Sequence, residues 1–270
     1  MKRPASFPTI LVWASAASLA GASAAQEAGT QDLAHDLANP VSDLISVPFQ
    51  FNFDEGLGTG DGHQSLLNIQ PVIPFSISPN WNLISRTIVP IVRRSDLGPG
   101  SEDETGLGNI TQSLFFSPKT PTAAGVIWGA GPVVQLPTAN DGIAPKQWGA
   151  GLTAVVAIQQ GPWTGGALSN HVWSISDEEE FGESSVTLVQ PFLSHSTPGG
   201  TTFTLNSEST YDWEDQQWSV PVNFTVAQLV KAGSRPLQFQ AGARYWLEAP
   251  ESGPDGWALR LGLTVLFPRN

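Results

Sequence analysis

The segment Gly256-Trp257-Ala258-Leu259-Arg260-Leu261-Gly262-Leu263-Thr264-Val265-Leu266-Phe267 divides by parity. Trp257, Leu259, Leu261, Leu263, Val265 and Phe267 fall on one side, and Ala258, Arg260, Gly262, Thr264 and Leu266 on the other. Side chains of a strand point alternately to opposite faces, so the first set forms an apolar face with an aromatic residue at each end. A membrane-spanning barrel strand has this profile. A half-buried strand of a soluble sandwich alternates in the same way, so the rest of the chain must decide between them.

The same period runs backward through the sequence. Phe239, Ala241, Ala243 and Tyr245 oppose Gln238, Gln240, Gly242 and Arg244, and Val220, Val222, Phe224 and Val226 oppose Ser219, Asn223 and Thr225. Phe203, Leu205, Tyr211 and Trp213 oppose Thr202, Thr204, Asn206, Glu208 and Asp212. Near the start, Ile45, Val47, Phe49, Phe51 and Phe53 alternate with Ser46, Pro48, Gln50, Asn52 and Asp54, and Leu67, Ile69, Ile73 and Phe75 are set against Asn68 and Gln70. Further segments are expected near residues 81–92, 109–116, 127–137, 148–159, 163–175 and 186–195, for 12 strands in all. Pro71 and Pro74 each remove a ladder donor from the second strand. The segments at 109–116, 163–175 and 186–195 alternate poorly, so the sequence assigns no face to Gln112, Asn170, His171 or Gln190.

The connections separate the two readings. Taken alternately, one set holds 17 of the 24 acidic residues and is longer on average, whereas the other holds none and contains Lys119, Lys231 and Arg235. Long outer loops alternating with short periplasmic turns are expected of an outer-membrane barrel with both ends in the periplasm. A soluble sandwich gives no reason for one end to collect the acidic loops. Ten Trp and 13 Phe, with only 13% charged residues, suit aromatic girdles at membrane interfaces.

Residues 1–25 read as a secretory signal peptide. Lys2 and Arg3 precede an apolar run, and Ala22-Ser23-Ala24-Ala25 offers small residues for cleavage. Without them the chain carries 10 basic against 24 acidic residues, a net charge of −14. That excess disfavours nucleic acid as a partner, since phosphate binding needs Lys/Arg clusters. The absence of cysteine excludes disulfides, thiol catalysis and Cys-based metal sites. Residues 26–44 contain Leu33, Ala34, Leu37 and Ala38 at helical spacing before Asn39-Pro40, which predicts a short helix stopped by the proline. It is either a periplasmic tail or a plug inside a pore. The expected organisation is thus signal peptide 1–25, amino-terminal segment 26–44 and barrel 45–267.

Several stretches carry a family resemblance. They are Asn39–Phe53 (NPVSDLISVPFQFNF), Gly131–Ala139 (GPVVQLPTA), Gln147–Gly151 (QWGAG), Gln160–Trp163 (QGPW), Gln190–Leu193 (QPFL), Trp218–Asn223 (WSVPVN) and Leu266–Pro268 (LFP). In this order, over nearly the whole chain after residue 38, they resemble a family of outer-membrane transporters labelled after the "MetA-pathway of phenol degradation". The resemblance implies an outer-membrane barrel with a transport role. The final strand also resembles the terminal aromatic strand by which bacterial outer-membrane barrels are recognised for insertion, here followed by Pro268-Arg269-Asn270.

No catalytic constellation emerges. His35, His63, His171 and His195 lack metal-ligand spacing, and neither a nucleophile elbow nor a P-loop is present. Ser169, Asn170 and His171, or Ser194 and His195, would be the material of a barrel hydrolase, but adjacent strand residues point apart and cannot form a working dyad. No cofactor is implied. Arg86, Glu208, Arg244 and Arg260 are charges inside strands, opposite the apolar faces; an Arg facing hydrocarbon near the midplane costs about 2–4 kcal/mol, so these should point into the lumen. With Asn68, Gln70, Asn206, Gln238 and Gln240 they are the candidate pathway residues. They serve either as a solute-screening cluster or as an ion-pair network of Glu208 with Arg244 or Arg260. Asp177–Glu180 and Glu102–Glu104 are acidic clusters without the ligand periodicity of a dedicated cation loop; they read first as solvated, mobile loops, and secondarily as sites for divalent cations or bridges to lipopolysaccharide.

The expected protein is a 12-stranded antiparallel transmembrane up-and-down β-barrel with a short amino-terminal helical or plug segment, in the bacterial outer membrane. It passes a small solute, aromatic or hydrophobic, by diffusion or facilitated passage, in contact with outer-membrane lipid and lipopolysaccharide. A structural or surface-binding barrel and a barrel hydrolase are the alternatives.

Overall fold

The computed structural model describes residues 29–59, 62–175, 182–232 and 235–267. The signal peptide expected over residues 1–25 and the whole acidic run Asp177–Glu180 lie outside them, as does the tail after Phe267. The described strands are β1 (Ile45–Leu57), β2 (Gly62–Ile69), β3 (Val72–Ser76), β4 (Trp81–Ser95), β5 (Glu104–Leu107), β6 (Ile110–Pro118), β7 (Val126–Leu136) and β8 (Gly149–Gln160). They continue as β9 (Trp163–Ser174), β10 (Ser185–Ser196), β11 (Thr201–Ser207), β12 (Ser209–Asp212), β13 (Gln217–Ala232), β14 (Arg235–Glu248) and β15 (Gly256–Phe267).

All strand pairings are antiparallel, and β1 closes on β15 through nine consecutive partners from Ile45↔Phe267 to Phe53↔Leu259. Closure leaves no edge on which unpaired backbone would meet lipid. Three strand pairs are single staves interrupted in the middle: β2 with β3, β5 with β6, and β11 with β12. The 15 strands therefore make a 12-stave barrel. Pro71, which has no N–H to donate, marks the first break. At the second, the register against β4 slips by one residue between Leu107 and Ile110. Such a bulge exchanges the two faces. Gly106 shares a face with the lumenal Val92, whereas beyond the bulge Ser113 and Phe115 turn inward and Gln112 turns toward lipid. A single parity could not have described residues 109–116. The Gln112 amide is satisfied within the wall: Thr87 Oγ1 donates to its Oε1 (2.6 Å), and its Nε2 donates to Ser85 Oγ (3.0 Å). The strands also reach further outward than expected, with Arg93, Arg94, Glu104 and Thr105 paired rather than looped.

Inside the barrel, residues 29–38 form one helix that ends just before Asn39-Pro40. Val41, beyond the helix, packs on Ile84, Phe115, Val155 and Leu168, while Leu33, Leu37 and Leu44 pack on Leu229 and Leu266. All six wall residues face inward, from the periplasmic half of their strands or near its upper limit. Gln159 Nε2 donates to the His35 carbonyl (2.8 Å). The segment is thus a plug. Its apolar residues need a greasy wall, which is why residues 163–175 and 186–195 alternate poorly: Leu168, Leu188 and Phe192 face the lumen, as do Asn170 and Gln190, while His171 faces lipid. Gly129 keeps the wall clear for it, since a Cβ there would lie 3.2 Å from Val41 Cγ1 and 3.3 Å from Phe115 Cβ.

Candidate functional site: a charged and amide-lined lumen

The charge cluster is assembled by register. Asn52 on β1 lies opposite Arg260 on β15, and Asn223 on β13 lies opposite Arg244 on β14. In both pairs the asparagine Oδ1 accepts a bond from the arginine Nε at 2.8 Å, which aims the guanidinium along the wall. Both arginines are buried, at 5% and 2% side-chain exposure, so each must be paired to be tolerated. They converge on Glu208, at the interruption between β11 and β12. Arg260 Nη1 and Nη2 donate to Glu208 Oε1 (2.9 Å) and Oε2 (2.6 Å), and Arg244 Nη2 donates to Oε2 (2.9 Å). The planar guanidinium fork suits this two-point contact, which a lysine would not reproduce. Arg244 Nη1 also reaches Asp54 Oδ1 (3.3 Å), and Trp246 Nε1 donates to the same oxygen (2.9 Å). The cluster spans the wall from β11/β12 through β13, β14 and β15 to β1.

Asp54, Asn52, Asn223 and Trp246 were not among the expected site residues. Asp54 was legible in principle, because it is a charge on the polar parity of the first strand. The asparagines become interpretable only once cross-strand register pairs them with arginines.

Arg86 sits apart. It lies opposite Val72, at the break between β2 and β3, and Arg86 Nη2 donates to Gln70 Oε1 (2.8 Å). Among the described residues it makes no ion pair within 4.0 Å. It lines a cavity of about 250 Å³ with Gln50, Gln70, Gln190, Gln238 and Gln240, roofed on the plug side by Leu37, Pro40 and Leu44. An adjoining cavity of about 210 Å³ is lined by Asn206, Thr204 and Thr202 and shares Gln190, Gln238 and Gln240. Asn68 lies on the lumenal face opposite Gln50. From the outer mouth inward, the order is therefore the Glu208 cluster, the amide-lined cavities and the plug. Among the described residues, no group of three or more His, Asp or Glu is placed to hold a metal ion. Asp103 is engaged by Arg93 (3.2 Å).

On the lipid side of the outer rim, His171 Nδ1 lies 2.7 Å from Thr187 Oγ1 and its Nε2 lies 3.3 Å from Ser185 Oγ. Trp213 Nε1 donates to Thr187 Oγ1 (2.8 Å). The serines next to the histidines in sequence are engaged elsewhere: Ser169 Oγ donates to the Leu188 carbonyl (2.8 Å), and Ser194 bonds Thr204 (2.9 Å). Among the described residues, the cross-strand pair Ser185–His171 has no carboxylate or amide bonded behind the imidazole; its hydrogen bonds run on to Thr187 and Trp213.

Neither a protein-family model nor a curated protein sequence matches the chain. Among solved structures it is similar to the COG4313 outer membrane channel from Pseudomonas putida F1, at 18% identity over 83% of this chain and 94% of that one, with a TM-score of 0.64. This is an outer-membrane barrel. It is also similar to the beta domain of the Bordetella autotransporter BrkA (12% identity, 84% and 100% covered, TM-score 0.48). A further match is outer membrane phospholipase A from Escherichia coli (10% identity, 82% and 96% covered, TM-score 0.47). The outer-membrane barrel carries two exposed aromatic belts, with Trp148, Trp173, Trp213, Trp218 and Trp257 at the outer rim and Trp81, Trp128, Trp163 and Phe267 at the periplasmic rim. Such amphipathic rings favour the headgroup level.

Proposed function

We propose that this barrel is a passive channel for small solutes, in which the Glu208 cluster narrows the lumen and residues 29–44 gate its periplasmic half. The observation that carries the reading is the continuous inward-facing polar surface from Asp54 and Glu208 down to Gln238 and Gln240, with small cavities rather than a filled core beneath the cluster. A barrel serving only as a lipid-embedded scaffold needs no such surface, and a small one fills its interior with side chains. The likeness to a channel from Pseudomonas putida F1 and the resemblance to the transporter family labelled after phenol degradation agree with this reading. The cavities join amide groups to apolar plug residues, which suits a compact amphipathic solute, the label's aromatic ones included. Liposomes bearing the full chain should swell in isotonic solutions of such solutes, and faster when residues 29–44 are deleted. No swelling with either form would overturn the channel reading.

The Ser185–His171 pair supports a second reading, hydrolysis of outer-leaflet lipid. It is the weaker of the two, because a general base of this kind works best when a third group orients it and stabilises the imidazolium.

A further inference from the structure

We propose that the cavity beneath the Glu208 cluster is a binding site for small monocarboxylates, with Arg86 as the residue that receives the carboxylate. The proposal rests on the channel reading for its route of access but not for its chemistry.

Of the wall charges in the Glu208 cluster and the cavity beneath it, three are guanidinium groups, Arg86, Arg244 and Arg260, and two are carboxylates, Asp54 and Glu208. The carboxylates are fully committed: Glu208 accepts three charge-assisted bonds from Arg244 and Arg260, and Asp54 accepts from Arg244 and Trp246. Arg86 is left as the excess cation, bonded through one nitrogen to the neutral amide of Gln70. A guanidinium carries five donors in a planar fork whose preferred partner is a two-oxygen anion. A buried cation that shares its nearest carboxylate, Glu208, with two arginines already bonded to it, and that makes no direct ion pair of its own among the described residues, stands to gain from an anion that can enter.

The surroundings restrict which anion enters. Around Arg86 the wall offers amides, of Gln50, Gln190, Gln238 and Gln240, which supplement a carboxylate's hydrogen bonds without adding charge. The apolar part of the lining is Leu37, Leu44, Val72, Leu168 and Phe192, and Asn39, Ser42, Ser46 and Thr264 complete it with small neutral polar groups. The volume, about 250 Å³, falls below the roughly 300–1,000 Å³ of sites for drug-sized ligands. One charged head and one short apolar body satisfy both halves of this lining. A phosphate would leave charge against the leucines, a sugar would leave the guanidinium without an anion, and a dicarboxylate would bring a second charge with no second cation lining the cavity.

Isothermal titration of the full chain in detergent, with hexanoate and with 1-hexanol as its uncharged counterpart, tests the site without any variant. Hexanoate should bind at least tenfold more tightly. Arg86→Gln should remove that preference while leaving the weak hexanol binding in place, and Arg86→Lys should restore part of it. Equal binding of acid and alcohol by the unaltered protein, or a preference untouched in Arg86→Gln, overturns the proposal. Flux in liposomes separates the two readings. Hexanoate that binds through Arg86 but does not cross leaves the site standing and sinks the channel; hexanoate that crosses equally in the unaltered protein and in Arg86→Gln leaves the channel standing and sinks the site.

Discussion

Replacing Glu208 with glutamine tests the cluster most directly. The carboxylate accepts two bonds from Arg260 and one from Arg244, at 2.6 to 2.9 Å, and among the described residues Asp54 is the only other carboxylate paired with either arginine. Glutamine keeps one acceptor oxygen but turns an amide donor toward a guanidinium, so at least one of the three bonds is lost and two buried like charges are left with a single counter-ion. Breaking a buried ion pair from one side costs about 3–5 kcal/mol. The Glu208 side chain keeps 22% exposure to the lumen, and water recovers part of the loss, which brings the expected cost to about 2–3 kcal/mol. Urea unfolding in detergent micelles, followed by tryptophan fluorescence, measures it. A network that acts as a unit has a second consequence: Arg260→Met in the Glu208→Gln background should cost less than the two single costs added together. Unfolding free energies within about 0.5 kcal/mol of the unaltered protein, or strict additivity in the double variant, would refute the account of Glu208 as the hub of the cluster. The same substitution adds one positive charge to the lumen, so the reconstituted channel should become more anion-selective.

Three further outcomes follow from the plug and the outer rim. Gly129→Leu would drive a side chain into Val41 and Phe115 and should expose residues 29–44 to protease while the barrel remains heat-modifiable on gels; continued protection would show that Val41 does not anchor the plug. Burial within the barrel, together with the charges of Asp32 and Asp43, raises the Asp36 carboxyl above its ordinary range, against a smaller opposing effect of His35. The docked helix therefore binds protons more readily than the released one. Docking should strengthen, and conductance fall, as pH drops through the raised value, and should weaken as pH climbs past it; Asp36→Asn should flatten this dependence, and a slope that survives it rejects the assignment. His171→Ala should leave the protein folded, at a cost of about 1 kcal/mol for its hydrogen bonds. Neither it nor the unaltered protein should release fatty acid from phospholipid vesicles, and release abolished by the substitution would favour the hydrolase reading instead.

The alternation in β1, β11, β13, β14 and β15 determined the strands, the barrel and the inward direction of Arg244, Arg260 and Glu208, because lipid on one side and water on the other impose a period of two on each residue's polarity. The sorting of acidic connections to one end determined the orientation for a similar reason, since it depends on the solvent each loop meets and not on which strands are neighbours. What those lumenal charges do together was decided by register. Only the pairing of β15 with β1 brings Asn52 beside Arg260, and only the pairing of β13 with β14 brings Asn223 beside Arg244. The irregular segments were decided by the tertiary structure alone. A one-residue bulge exchanged the faces near Asn109, and the docked plug replaced water with leucine and valine side chains against one part of the wall. Inside that part, the rule that equates polar with inward fails, because the lumen there is a hydrophobic core. Gly256–Phe267 shows both contributions. Its alternation announced a barrel strand, and Leu266, on the face that should have been wet, is buried against the plug-contact cluster of Leu44 and Leu229.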